Sequence, residues 1–330
     1  MAEAEFRAFR VEKSGDTFAG RVQTLGLDTL PAGELTVRVA YSSLNYKDAL
    51  SATGNPGVTK TYPHTPGIDA AGTVLESHDD RFAAGDEVIV TSYDLGMNTP
   101  GGLGELIRVP AAWALPLPTG LSLREAMVLG TAGLTAGLSL EALLKHGLEP
   151  GGGPVVVTGA SGGVGSVAVA LLAKAGFETW ASTGTEAAHG WLRNLGAAEI
   201  IPRAELAEAS ERPLLKARFA GAIDTVGGEP LSNLVKSLSY RGAVAACGLV
   251  AGPQLSLSVF PFILRGVSLL GIDSAACPVA LRRRVWERLA GNWKVDLTAI
   301  TREVTLQDLG GVIEEILAGR TQGRVLVRVS

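Results

Sequence analysis

The sequence predicts an α/β chain, a compact β-rich domain joined to a doubly wound parallel sheet, and three observations carry that expectation. Up to about residue 120 the chain reads as short β-type runs broken by glycine and proline. From about residue 123 apolar strands alternate with helical stretches, the pattern of parallel βαβ units. Between one such strand and its helix lies a glycine-rich turn, Gly159-Ala-Ser-Gly162-Gly163-Val-Gly165. The expected division is 1–122 for the first domain and 123–299 for the second. Residues from about 300 to 330 are expected to return to the first, because chain ends often lie close together.

Taken in order, the strand signals of the first domain are 35–39 (LTVRV), 72–75 (GTVL), 87–90 (EVIV) and 106–109 (LIRV). In the second, 155–157 leads to an apolar helix at 164–175, then a strand at 177–182, a helix near 187–195 and a strand at 199–201. Further strands follow at 221–225, 243–247 and 267–271, with a helix near 231–238 between the first two. Those six β-runs predict the strand order 3-2-1-4-5-6. A helix at 306–318 precedes the last strand-like run, 324–329.

Composition bounds the function classes. With 330 residues, 46% of them hydrophobic and 19% charged, the chain can bury a core without disulfide or metal staples. A net charge of −4 with mixed signs leaves no basic stripe for nucleic acid. Two cysteines, Cys247 and Cys277, sit among apolar or small residues, so a reducing cytoplasm is expected rather than a disulfide framework. The N-terminus has acids and no apolar core segment, which argues against a signal peptide. The most hydrophobic stretch, 164–173, falls short of the ~20 residues a membrane span needs, so no membrane partner is expected.

The glycine turn carries the first functional inference. Glycine has no Cβ, so the backbone can approach a pyrophosphate while the first helical N–H groups point at its oxygens. Gly165 would let the helix pack closely on the strand. The turn's place inside a long βαβ series favours a dinucleotide site over a purely structural bend. The second strand of the series ends Ser182-Thr183-Gly184-Thr185, with no acid until Glu186. A carboxylate there would hold ribose hydroxyls and repel a 2′-phosphate; hydroxyls and N–H groups accept one. Arg203 ends the adjacent third strand and could reach the same phosphate bidentately, so NADP(H) is the expected cofactor. Otherwise Arg203 is a solvated loop charge.

Metal chemistry is not expected. Four scattered histidines, His64, His78, His146 and His189, and two cysteines without partners at ligand spacing do not make a zinc site. Without a Lewis acid, reduction of an activated C=C bond or of a quinone is easier than alcohol oxidation.

The runs SSLNYKDAL (42–50), PGIDAAGTV (66–74) and GTAGLTAGLSL (130–140) resemble the zinc-independent quinone-oxidoreductase branch of the medium-chain dehydrogenase/reductase superfamily. More narrowly, VTGASGGVGSVAVALL, AGAIDTVGG, AACGLVAG, PFILRGVSLLGIDS and QGRVLVRV resemble the acrylyl-CoA reductase (NADPH) family, whose members are also called YhdH-type quinone oxidoreductases. The resemblance runs nearly end to end. It implies a GroES-like catalytic domain, a Rossmann NADP-binding domain, a homodimer, and NADPH-dependent reduction of acrylyl-CoA to propanoyl-CoA, with quinone reduction as the alternative. By position it implies cofactor contacts at Tyr46, Ser161, Gly162, Gly163, Val164, Gly165, Thr183, Gly184, Thr185 and Arg203, and further ones at Leu249, Ile263, Ser274 and Gln322. The family commonly has Ser-Gly-Arg after the second strand; here Thr183-Gly184-Thr185 shifts weight onto Arg203 and Ser182.

The chemistry expected is hydride attack on the β-carbon of an α,β-unsaturated thioester, with nearby donors stabilising the enolate oxygen. Tyr46 is the candidate donor to substrate or nicotinamide, unless it packs structurally and water supplies the proton; Asn45 stands beside it, and Asp48 is expected to order the loop. Thr131 and Thr135 are expected to contact the carboxamide or substrate, or else to allow close helix packing. Arg282, Arg283 and Arg284 read as a solvated helix face rather than a CoA phosphate site. The run 267–273 is the expected sheet edge, through which a two-fold dimer would pair. A non-catalytic NADPH sensor is a second alternative, against which the complete 42–50 loop weighs.

Overall fold

The computed structural model describes residues 5–330. The chain divides into two compact units, one of residues up to Thr131 together with Thr301–Ser330, the other Ala132–Ile300. Its strands are β1 (Glu5–Ser14), β2 (Thr17–Gly26), β3 (Leu35–Leu44), β4 (Asp69–Ser77), β5 (Glu87–Thr91), β6 (Leu106–Val109) and β7 (Ala114–Pro116), all in the first unit. The second unit holds β8 (Val155–Val157), β9 (Thr179–Thr183), β10 (Ala197–Pro202), β11 (Phe219–Asp224), β12 (Leu238–Ala246) and β13 (Ser268–Gly271). The chain then returns to the first unit with β14 (Thr301–Thr305) and β15 (Arg324–Arg328).

In the first unit β1 and β2 form a hairpin that the strand signals did not reveal. Ser14 pairs with Thr17 across Gly15-Asp16, and Gly15 takes φ +59, a turn position that suits glycine. The main sheet runs β14-β15-β3-β4-β5-β7, with β6 also paired to β3. Alternation buries Val37 and Val39 of β3 and Val88 and Val90 of β5 in one core. Leu309, Val312 and Ile313 of the helix Leu309–Leu317 pack into it. The C-terminal strand β15 pairs antiparallel with β3, so the end of the chain completes the sheet begun near its start.

The second unit is a six-stranded sheet in the order β10-β9-β8-β11-β12-β13, every neighbour parallel. Val155, Val156 and Val157 are wholly buried, as expected where helices cover both faces. The strand order reverses between β8 and β11, the position where open α/β sheets leave a crevice at their carboxyl ends.

One expectation needs correction and one needs an addition. The apolar stretch 164–173 lies in a helix too short to cross a membrane, as expected. Among the described residues a second helix, Leu123–His146, is long and apolar enough by length and composition, and 83% of its apolar window is buried inside the protein. Gly130 (φ 52, ψ −154) breaks it into two helical stretches. The three arginines do not form a solvated face. Arg282 is 1% exposed, and its Nη2 donates to the carbonyls of Ser274 (2.9 Å) and Ala275 (3.0 Å). Arg284 and Arg288 converge with Lys145 on the buried Glu141, at 3.2, 2.7 and 3.3 Å. Arg283 alone is exposed.

Candidate functional site

In the second unit, β8 hands the chain to the helix Gly163–Lys174 through the glycine turn. Gly159 has φ +58, and a Cβ on Gly165 would lie 2.2 Å from the Gly159 carbonyl oxygen. Only glycine at 165 allows helix and turn to meet so closely. The Gly162 N–H donates to Gly159 O (2.9 Å), and Gly162 occupies the helix N-cap without any side-chain cap. The leading N–H groups at 163–165 therefore have no capping oxygen, and Ser161, Gly162, Gly163 and Val164 are half-buried around them. An uncapped helix N-terminus that is partly open to solvent fits an anionic pyrophosphate.

The end of β9 joins this turn. The Ser182 carbonyl accepts from the Ala160 N–H (3.1 Å), and the Thr183 hydroxyl donates to Ser161 Oγ (3.0 Å) and accepts from the Thr185 N–H (3.1 Å). The structure thus joins the hydroxyls of Ser161 and Thr183, with Ser182 and Thr185 meeting them through the backbone. Arg203 follows β10, and its guanidinium lies 3.1–3.2 Å from where a Cβ on Gly184 would stand. The Arg203 cation beside Gly184 and the hydroxyls of Thr183 and Ser161 suit a phosphate monoester and offer no carboxylate to repel it. Leu249 and Ile263 are 66% and 69% exposed. The Thr135 hydroxyl donates to Ser274 Oγ at 2.8 Å, so these two residues, both named as contacts, meet each other.

The first unit holds the catalytic-loop candidates. Asn45 caps the helix Tyr46–Ala52 and forms a reciprocal capping box with Asp48: the Asn45 N–H donates to Asp48 Oδ2 (2.7 Å), while the Asn45 side chain accepts from the Asp48 N–H. Asp48 Oδ1 also accepts from the N–H groups of Ile68 (2.8 Å) and Gly67 (3.1 Å). Asp48 therefore orders the loop. Its burial, reinforced by the neighbouring Asp69, pushes its carboxyl up to about 7 against the pull of those N–H donors. Tyr46, the first helical residue, is 47% exposed.

Beneath Asn45 lies a group that reading the sequence missed. Asp69 Oδ2 accepts from Ser43 Oγ (2.6 Å) and Asn45 Nδ2 (2.8 Å), and Asp69 Oδ1 from the Thr131 hydroxyl (2.6 Å). The Thr131 N–H lies 2.9–3.0 Å from both Asp69 oxygens, and Ser92 Oγ is 2.8 Å from Thr131 Oγ1. Arg324 is buried with them; its Nε donates to the Val128 carbonyl (2.8 Å), and its Nη1 lies 3.5 Å from Asn45 Oδ1. Burial lowers the Arg324 pKa, opposed by Asp69 and Asp48. The one available signal was an acid inside the apolar run PGIDAAGTV. Gln322, two residues before Arg324, is exposed.

Among the described residues no group of three or more His, Cys, Asp or Glu comes together to hold a metal. His64 is buried with Nε2 2.9 Å from the Gly96 carbonyl, and burial lowers its pKa. Burial pushes the Cys247 thiol up to about 12, so it stays protonated and is a poor ligand. The donor set does not fit zinc.

Comparison with known proteins agrees with this architecture. Residues 31–119 match the alcohol dehydrogenase GroES-like domain, and residues 163–290 match the family described as zinc-binding dehydrogenase. The chain is 49% identical to acrylyl-CoA reductase AcuI of Ruegeria pomeroyi over 320 residues, 97% of each chain. It is 48% identical over 326 residues to YhfP of Bacillus subtilis, which carries a provisional quinone oxidoreductase name, covering 98% of this chain and 99% of that one. The crystal structure of the yhdH oxidoreductase from Salmonella enterica in complex with NADP superposes with a TM-score of 0.96 at 47% identity, over 98% of this chain and 100% of that one. The chain therefore belongs to the medium-chain dehydrogenase/reductase superfamily, in the family of the AcuI acrylyl-CoA reductases and the YhdH and YhfP oxidoreductases.

Proposed function

We propose that this protein is an NADPH-dependent oxidoreductase that reduces the activated C=C bond of an α,β-unsaturated acyl-CoA, acrylyl-CoA to propanoyl-CoA. The observation that carries the reading is the conjunction of an uncapped glycine cradle with a cation and hydroxyls at the β9 end, in a chain 49% identical to an acrylyl-CoA reductase over almost its whole length. When bound, NADPH would supply a hydride to the β-carbon of the unsaturated thioester, and a proton taken up at the α-carbon completes the saturated product with release of NADP⁺. The backbone at 161–165 holds the pyrophosphate, and Ser182, Thr183, Thr185 and Arg203 hold the 2′-phosphate. Tyr46 donates a hydrogen bond to the oxygen where negative charge develops. Asn45 and Asp48 fix the helix turn that carries Tyr46. Residues 1–122 with about 300–330 act as the catalytic domain and 123–299 as the NADP-binding domain. The thiols of Cys247 and Cys277 are both free, which suits a reducing cytoplasm.

A quinone reductase is the second reading, favoured by the name of the 48%-identical YhfP. Steady-state oxidation of NADPH with acryloyl-CoA against a simple quinone separates the two. A kcat/KM at least tenfold higher for the thioester is expected; efficient turnover of the quinone alone reverses the assignment. NADH in place of NADPH is expected to raise the cofactor KM markedly, and equal values would remove the role given to Arg203.

We also propose a two-fold dimer paired through the open edge of β13. Its support is that β13 ends the sheet order, and that Val259, Phe260, Ile263 and Leu264, just before it in the chain, are 45–69% exposed apolar residues.

A further inference from the structure

The most costly groups in the first unit are the buried charges below the Tyr46 loop, and none of them takes part in the reaction proposed. Asp69 is 0% exposed and Arg324 2%. A well-packed apolar pair would be at least as stable in such a place, so stability alone does not account for them. What distinguishes Asp69 is the set of donors it holds. Its two oxygens accept from Ser43 Oγ, Asn45 Nδ2, Thr131 Oγ1 and the Thr131 N–H. These donors lie on separate elements: the end of β3, the cap of the Tyr46–Ala52 helix, and the helical stretch that begins after Gly130. Gly130 is built for this junction. A Cβ there would lie 2.4 Å from Ser43 Oγ and 2.5 Å from Asp69 Oδ2, and its φ of 52° brings the Thr131 N–H to the carboxylate. Arg324 supplies the opposing charge from β15 and braces Asn45 and Val128, while its Nη2 has no hydrogen-bond partner.

Asn45 is therefore held twice, by Asp48 at its backbone N–H and by Asp69 at its side-chain amide. The next residue is Tyr46, whose side chain is half exposed. We infer that Asp69, balanced by Arg324, is a positioning residue for the reaction: it orients Asn45 and so sets the direction in which Tyr46 presents its hydroxyl. This rests on the reading of Tyr46 as the substrate's hydrogen-bond donor.

The test is a double-mutant cycle on kcat for acryloyl-CoA, with the NADPH dissociation constant measured by fluorescence titration. Four proteins are compared: wild type, Tyr46→Phe, Asp69→Asn, and the double variant. Asn45→Ala, alone and with Tyr46→Phe, repeats the cycle with both buried charges left in place, should Asp69→Asn fail to fold. The expected result is that Tyr46→Phe lowers kcat about tenfold or more, and that Asp69→Asn or Asn45→Ala does the same with NADPH affinity within twofold. Each double variant is then no slower than its slower single variant, because a misdirected and an absent hydroxyl are equivalent losses. If the two losses multiply, or if neither Asp69→Asn nor Asn45→Ala lowers kcat, Asp69 is structural only and the inference is overturned while the donor reading stands. If Tyr46→Phe leaves kcat unchanged, the donor reading falls and takes this inference with it.

Discussion

Asp48 shows how one residue's environment becomes a measurable property of the protein. Its carboxyl is pushed up to about 7, first by burial and then by Asp69. A raised carboxyl pKa means that the folded state binds the proton more tightly than the unfolded chain does. That contribution is full below the ordinary carboxylate value, declines as pH rises, and is gone above about 7. Wild type should therefore lose stability relative to Asp48→Asn between roughly pH 4 and pH 7, with a slope of up to about 1.4 kcal/mol per pH unit. Urea unfolding of both proteins across that range measures it; a difference that does not change with pH would place the Asp48 titration at its ordinary value. Loop ordering by Asp48 was legible in the sequence, since an acid three residues after Asn45 makes a capping box. The convergence of Asp69 and Arg324 on Asn45 was not, because nothing local brings an arginine on β15 and an aspartate on β4 to the same side chain.

Within single elements, the handover from β8 to its helix was the most legible part of the chain. Strand, glycine turn and apolar helix follow one another in about twenty residues, and each signal is local. Gly165→Ala tests that element directly. The added methyl would sit 2.2 Å from the Gly159 carbonyl oxygen, so turn and helix must move apart. An at least tenfold weaker NADPH affinity and a stability loss of about 1–3 kcal/mol are expected from fluorescence titration and denaturant unfolding. Unchanged affinity would show that the pyrophosphate rests elsewhere. The β1–β2 hairpin illustrates the opposite case. On β1 charged residues alternate with the buried Phe6, Ala8 and Val11, a period-two strand signal without a continuous apolar run, whereas β2 buries none of its residues and carries no such signal. The partner of β1 is set by the turn at Gly15 and by pairing along the hairpin.

For the molecule as a whole, the open edge of β13 is the feature most exposed to test. An unpaired strand flanked by exposed apolar side chains favours association with a like edge. Sedimentation velocity should give a species of twice the 34.1 kDa chain mass, and Ile263→Glu should shift it toward the single chain. A monomeric wild-type protein would remove the dimer proposal. The six parallel strands and their order could be read in advance, because βαβ units repeat a local alternation and right-handed crossovers leave few arrangements. Local chemistry of that kind also marked the glycine cradle and the hydroxyl-rich end of β9. Three-dimensional packing alone settled which charges are buried and whom they face: Arg282 against the turn after β13, Glu141 among three cations, Asp69 beneath Asn45. Periodicity and turn propensity are properties of neighbouring residues, whereas the cost of burying a charge is met by partners that chain topology delivers from far along the sequence.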